Sequence, residues 1–337
     1  MRRGSDSKNS TPGTQTAHIV NQMTETKSEA LLFEPIFQER IWGGRRLQDE
    51  FGKKLPPGLK IGESWELVDR PEAQSVVRSG PNKGVSLHQL WKNHREEIFG
   101  NTRNAPRFPL LIKLLDARET LSLQVHPPAH IAPGLNGEPK TEFWYVVKAE
   151  QGAKIYAGLR RTMSPEEFNR SIASGNVADH IHSILTKEGD GIFLPAGRFH
   201  AIGAGNLLVE IQQNSDTTYR VYDWDRVDAT GQPRELHIEQ ALQCIDFNDC
   251  EPEAIEPAGE VLIRNELFEI QKWNLTEPRD LALPGKFAIV CVLDGNLRMA
   301  GTDILPGDLS LLPANSENRA IAPSTKTASI LRITIPR

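Results

Sequence analysis

Cysteine is scarce in this chain, and no hydrophobic run is long. Only three cysteines, Cys244, Cys250 and Cys291, occur among the 337 residues. Their odd number and irregular spacing argue against a disulfide-stapled secreted fold and against a cysteine-based metal site. They read as reduced thiols of a cytosolic protein; Cys244 and Cys250 are near enough to pair, but a reducing compartment argues against it. No stretch approaches the ~20 consecutive apolar residues of a membrane-spanning helix. Charge of one sign is not in excess either, with 39 Lys and Arg against 44 Asp and Glu for a net charge of −5. Nothing therefore demands nucleic acid or a membrane surface as a partner.

Apolar residues are also thin in residues 1–28, which are rich in Ser, Thr, Gln, Asn and Lys. Such a segment cannot offset the entropy of ordering, and we expect a disordered tail without the apolar core of a signal peptide. Met23 sits just before the globular pattern begins at Ala30, and translation is expected to start there. The rest is long enough for two domains. An acidic, proline-bearing stretch around Asp249 to Pro257 divides it, predicting one domain over 29–250 and a second over 251–337.

Most of the chain shows strand-and-turn chemistry, short apolar runs punctuated by Gly and Pro. A helix is predicted from Ser86, with Gln89 closing a capping box, Leu87, Leu90, Trp91 and Ile98 forming its apolar stripe and Gly100 ending it. Ser164-Pro165 opens another, expected to end near Gly175 and to sit at the rim of the site as a wall or lid. A third is expected within Glu235 to Ile245. Trp42, Trp65 and Trp144 read as core.

The candidate site starts in the strand from Leu121. Leu121, Leu123 and Val125 take one face, and period-2 geometry puts Ser122, Gln124 and His126 together on the other. Lys140 and Glu142 then lead into a bulky, buried run, so a carboxylate enters the interior and needs a cation or several donors. About sixty residues later the strand ending at Pro195-Ala196-Gly197 turns towards His200. His126, Glu142 and His200, with Gln124 as an oxygen ligand, suit Zn²⁺ or another divalent first-row ion and leave positions open for substrate. His18, His88, His94, His130, His180, His182 and His237 lack such company and read as exposed or structural.

Further on, Gly307-Asp308-Leu309-Ser310-Leu311-Leu312-Pro313-Ala314 echoes Gly189-Asp190-Gly191-Ile192-Phe193-Leu194-Pro195-Ala196. This reads as an internal repeat. The second copy carries Asn318 where the first carries His200, so it is expected to hold no metal.

The Gly-Asp, Pro, His pattern with its repeat resembles the cupin β-barrels and implies a mainly β double cupin with short helical insertions. More narrowly, Ile41-Trp42-Gly43-Gly44, Ser122-Leu123-Gln124-Val125-His126-Pro127, Lys140-Thr141-Glu142, Pro195 to His200 and Asn214 to Arg220 resemble the type I mannose-6-phosphate isomerases in their short bacterial form. The resemblance implies one Zn²⁺ on Gln124, His126, Glu142 and His200, Arg220 as the catalytic arginine and Ser122 near the substrate, a small-molecule sugar phosphate. A Gly-Leu-Thr-Pro-Lys segment of the family's long form is absent after Arg220, where Val221-Tyr222-Asp223-Trp224-Asp225 stands.

The reaction so implied moves a proton between adjacent carbons through an enediol, and the charge developing on oxygen must be stabilised where it forms. Arg220, permanently cationic, can hold one side. The proton needs a base, either Lys140 beside the metal or Glu210, raised by burial. Lys140 stands ahead because its two-residue offset from Glu142 shares a face with a metal ligand. Two rivals are a cupin metal oxygenase acting on a small acid and a non-catalytic sugar-binding module. Glu210 and Arg220 could also be a buried ion pair holding two strands together. No oligomeric state is implied.

Overall fold

The computed structural model describes residues 29–227 and 231–336. The expected tail and the Met23 start lie outside the described residues. The fold is mainly β with short helices, and its four large sheets are entirely antiparallel. The first barrel pairs a five-stranded sheet, ordered Ile181–Leu185, Lys154–Leu159, His200–Ile202, Leu123–Val125, Tyr219–Tyr222, with a six-stranded one. The latter is ordered Gly191–Leu194, Glu142–Ala149, Asn206–Gln213, Leu110–Ala117, Ile61–Leu67, Ile36–Gly44. The second barrel repeats the plan with six strands, from Leu31–Leu32 at one edge to Val261–Arg264 at the other, and four, so the division expected at 250 differs in that the chain's first strand pairs with Leu309–Leu312 of the second barrel.

Alternation explains how the barrels join. Phe143, Tyr145 and Val147 face the same apolar cluster as Leu207, Val209 and Ile211, and this cluster continues into Ile289, Cys291, Leu309, Leu311, Leu331 and Ile333 of the second barrel. The two six-stranded sheets therefore cover each other's outer faces. Trp144, Val146, Leu115 and Leu208, on the alternate positions, fill the first barrel's interior instead. The strand Glu142–Ala149 is covered on both faces, which is why it reads as a bulky run rather than as hydrophobic-polar alternation.

The repeat is visible in hydrogen bonds. Asp190 Oδ2 accepts from Lys187 N at 2.9 Å and Asp308 Oδ2 from Leu305 N at 3.2 Å. Gly189 N donates to Val146 O and Gly307 N to Val292 O, at 2.9 and 2.8 Å. Both turns close alike, Arg198 N on Pro195 O and Ser316 N on Pro313 O, each at 3.1 Å.

The helices differ from expectation in two places. The capping box at Ser86 and Gln89 forms, with bonds of 3.2 and 2.9 Å. The helix, however, stops at Asn93, because His94 leaves the helical region (φ −128°, ψ 32°), and restarts as Arg95–Phe99. The break lets Leu87, Leu90 and Trp91 of one piece and Ile98 and Phe99 of the other enter the same shared core. The helix Pro165–Ala173 forms with Ser164 as its cap, but it is no lid. Its buried Phe168 packs edge-to-face on Phe199, ring centroids 5.2 Å apart, and so supports the His200 turn from outside the barrel. The third helix spans Ile238–Cys244. The acidic stretch near Asp249 lies along the first barrel, with Ile255 N donating to Gly191 O at 2.7 Å. All three cysteines are free.

Candidate active site

Two cross-strand rows face each other inside the first barrel. In the five-stranded sheet, Gln124 is the register partner of both His200 and Arg220, so His200, Gln124 and Arg220 stand side by side on three strands. In the six-stranded sheet, Glu210 is the partner of both Trp144 and Lys113, and Lys113 is the partner of Trp65. Between them lies a cavity of about 410 Å³, into which Ser122, Gln124, Lys140, Glu210 and Arg220 all project.

His126, Glu142 and His200 meet beside it. Their candidate ligand atoms lie within 4.8 Å of one another, and all three residues are buried. Each imidazole is fixed by a carbonyl: His126 Nδ1 lies 2.9 Å from Thr217 O, and His200 Nδ1 lies 2.8 Å from Arg198 O. A carbonyl only accepts, so each Nδ1 carries the hydrogen and each Nε2 presents a lone pair. Those Nε2 atoms lie 3.3 and 3.8 Å from the two oxygens of Glu142. Gln124 reaches the same group, its Nε2 3.5 Å from His200 Nε2. Turning its amide by 180° exchanges that nitrogen for Oε1, the atom that binds a cation.

The turn between the ligand segments is itself tied to the site. Gly197 N donates to His126 O at 2.9 Å. Gly197 has φ +97°, a conformation open to glycine, and a Cβ there would lie 3.2 Å from Cys244 O.

The electrostatics favour a cation. Burial, and next Lys140, push His126 down to about 3, and burial also lowers His200, so both imidazoles are neutral at pH 7. Burial alone would raise Glu142, but the Lys140 ammonium at 2.8 Å holds its carboxyl well below the usual range. An ionised carboxylate thus lies between two lone pairs. His126 Nε2 and Glu142 Oε2 are buried without a hydrogen-bond partner among the described residues, and Glu142 Oε1 is met by the Lys140 ammonium. Orphaned buried acceptors in this number fit a bound metal ion.

The facing row is a network that sequence reasoning missed. Glu210 and Arg220 stand on opposite sheets and are not the ion pair considered above; Glu210 Oε2 pairs with Lys113 Nζ at 3.0 Å. Trp144 Nε1 donates to Glu210 Oε1 at 2.9 Å. Burial raises Glu210, with Lys113 opposing. Burial would also raise Glu63, yet Lys113 and Arg40 bring it down to about 2. Lys113, inside the apolar run Leu110 to Leu115, was a visible signal, because a lysine there must be buried and paired. Trp42 and Trp144 are core as expected but also line the cavity, as do Asp216 and Arg234.

The family profile for the phosphomannose isomerase type I catalytic domain matches residues 31–153. The mannose-6-phosphate isomerase ManA of Bacillus subtilis is 40% identical over 299 residues, 85% of this chain and 93% of its own length. That of Streptococcus mutans is 40% identical over 281 residues, 81% of this chain and 87% of its own. A crystal structure of the mannose 6-phosphate isomerase from Bacillus subtilis superposes with a TM-score of 0.80 at 34% identity, covering 91% of this chain and all of that one. A zinc-bound holo mannose 6-phosphate isomerase shares the fold, with a TM-score of 0.73 at 15% identity over 92% of this chain and 100% of its own.

Proposed function

The chain belongs to the type I phosphomannose isomerase family, and from that premise we propose that it interconverts mannose 6-phosphate and fructose 6-phosphate with one Zn²⁺ held by Gln124, His126, Glu142 and His200. The observation that carries the reading is the pair of carbonyl-locked imidazoles aimed at a buried carboxylate, beside a cavity containing Lys140 and Arg220. A bound Zn²⁺ supplies a Lewis acid that polarises the oxygens at the reacting end of the sugar.

The chain's own groups supply the rest. Arg220 stands one strand from Gln124, and its guanidinium holds the sugar oxygen on which charge develops in the enediol. Lys140 Nζ, at 2.8 Å from Glu142, is the leading base for moving a proton between the two carbons. Glu210, whose carboxyl is raised by burial and positioned by Lys113 and Trp144, is the second proton-transfer group. Ser122, whose Oγ lies 3.4 Å from Gln124 Oε1, orients the substrate beside the ligands. No helix among the described residues is long and apolar enough to cross a membrane, and a cytosolic location accords with the free thiols.

The test is isomerisation of mannose 6-phosphate by purified protein after chelation and after zinc is added back, with metal analysis of the same sample. Activity that vanishes with the chelator and returns with zinc is the expected result. A zinc-replete protein without turnover would remove the proposal and restore the sugar-binding module; turnover that requires redox-active iron or manganese would restore the oxygenase.

A further inference from the structure

We propose that Arg234, clamped by Asp223 next to Arg220, reads the phosphate of the substrate. The inference rests on the isomerase reading above. A hexose 6-phosphate reacts at carbons 1 and 2 and carries its phosphate at the far end of the carbon chain. A cavity that holds the reacting end at the metal ligands must therefore present its anion-binding groups away from them.

The row His200, Gln124, Arg220 gives the direction. Adjacent strands lie about 4.8 Å apart, so Arg220 stands roughly 10 Å from His200 along the sheet. The next segment outward is the chain at 234–237. His237 N donates to Arg220 O at 2.7 Å, Arg220 N donates to His237 Nδ1 at 3.2 Å, and Arg220 Nη1 donates to Glu235 O at 2.7 Å. Arg234 immediately precedes this contact and lines the same cavity as Arg220.

The charge count of the cavity singles out this end. Arg40 is committed to Glu63 at 3.0 Å, Lys113 to Glu210 at 3.0 Å and Lys140 to Glu142 at 2.8 Å. Asp216, also in the lining, acts on Lys113. At the outer end, Arg234 and Arg226 share the single carboxylate of Asp223, and Arg220 has no ion-pair partner among the described residues. Glu235 points its carboxylate outward, and its side chain is 84% exposed. Arg234 and Arg226 against one buried aspartate leave surplus positive charge at this end, beyond Arg220.

The clamp also has the right form. Arg234 binds Asp223 through Nε at 2.7 Å and Nη2 at 2.6 Å, which fixes the guanidinium plane and leaves Nη1 without a partner among the described residues. A pre-oriented guanidinium recognises a phosphate at less cost than a free lysine would.

The test uses zinc-replete wild type, Arg234→Ala and Arg234→Lys, and reads kcat and KM for mannose 6-phosphate and the inhibition constant of inorganic phosphate. For Arg234→Ala we expect KM to rise about 100-fold, phosphate inhibition to weaken by a similar factor, and kcat and zinc content to stay close to wild type. KM and phosphate inhibition that both stay near wild type would overturn the assignment, as would a fall in kcat at unchanged KM. Should Arg234→Ala not fold, Arg234→Lys keeps the charge but not the two-pronged bond, with KM expected to rise about 10-fold; an unchanged KM overturns the assignment equally. A wild type without turnover counts against the isomerase reading alone. Calorimetry of inorganic phosphate with wild type and variants then decides on Arg234, weaker binding by the variants supporting it and equal binding overturning it.

Discussion

At the end of the strand Gly191–Leu194, Leu194 opposes Glu142; at the end of the matching strand Leu309–Leu312 in the second barrel, Leu312 opposes Ala288. Beyond the same Pro-Ala turn the first barrel places buried His200, and the second places exposed Asn318. One backbone plan thus surrounds two different interiors. In the first, cavity-facing positions carry charged and polar side chains, some of them paired, as Lys113 is with Glu210 and Arg40 with Glu63. In the second they carry Trp273, Leu275, Val290, Val292, Leu297, Ile304 and Ile330, which close into an apolar core with Ala282 and Ala288. The hydrogen-bonded turn is common to both barrels, so it is scaffold. The side chains behind it decide whether the barrel holds a site.

The largest way to break this comparison is to remove the first barrel's distinguishing ligand. His200→Ala should lose zinc and at least about 10³-fold in kcat/KM together, whereas Asn318→Ala should leave metal content and rate at wild-type levels; metal analysis with steady-state kinetics checks both. A metal-replete, active His200→Ala protein would take His200 out of the ligand set. Arg220→Ala comes next. It should retain zinc but lose about 10²-fold or more in kcat, which separates charge stabilisation from metal loading.

The converse change is to give the second barrel the first barrel's carboxylate. Ala288→Glu places an acid with no cation in an aliphatic core, and should cost about 3–5 kcal/mol in denaturant unfolding without creating a metal site. Zinc binding at a second stoichiometric site would contradict the view that the whole ligand set, and not the backbone, makes the site. The smallest expected effect is acid sensitivity confined to the first barrel. Glu63 falls to about 2 in the folded protein, so its contribution is present above the ordinary carboxylate pKa near 4.5 and lost as pH drops from there towards 2. Hydrogen exchange should show the strand Ile61–Leu67 loosening over that window ahead of Ala288–Asp294. Equal loosening of the two strands would show that the Glu63 network is not what distinguishes them.

Much of this was legible in the residues because its rules are local. Period-2 alternation places Ser122, Gln124 and His126 on one face, a proline-glycine turn sets the approach to His200, and the capping residues Ser86 and Ser164 mark helix starts. The repeat was legible for the same reason, since the turn it encodes is closed by bonds between near neighbours in sequence. The helix from Ser86 was misjudged at His94, where burial of two apolar faces in one core outweighed local periodicity. The rim position expected for Pro165–Ala173 failed because the sequence shows an amphipathic face without showing what it packs on, which is Phe199.

By itself, then, the sequence determined the strand faces, the turns, the repeat and the candidate ligand set. Only the tertiary structure decided which charges meet. Lys113 pairs with Glu210 across 97 residues of chain, Arg40 with Glu63, and Arg234 lines the cavity beside Arg220 because the segment at 234–237 returns to the strand Tyr219–Tyr222. Alternation tells which side of its own strand a residue takes. Its partner is set by strand order and register, which come from the long-range pairing of whole strands.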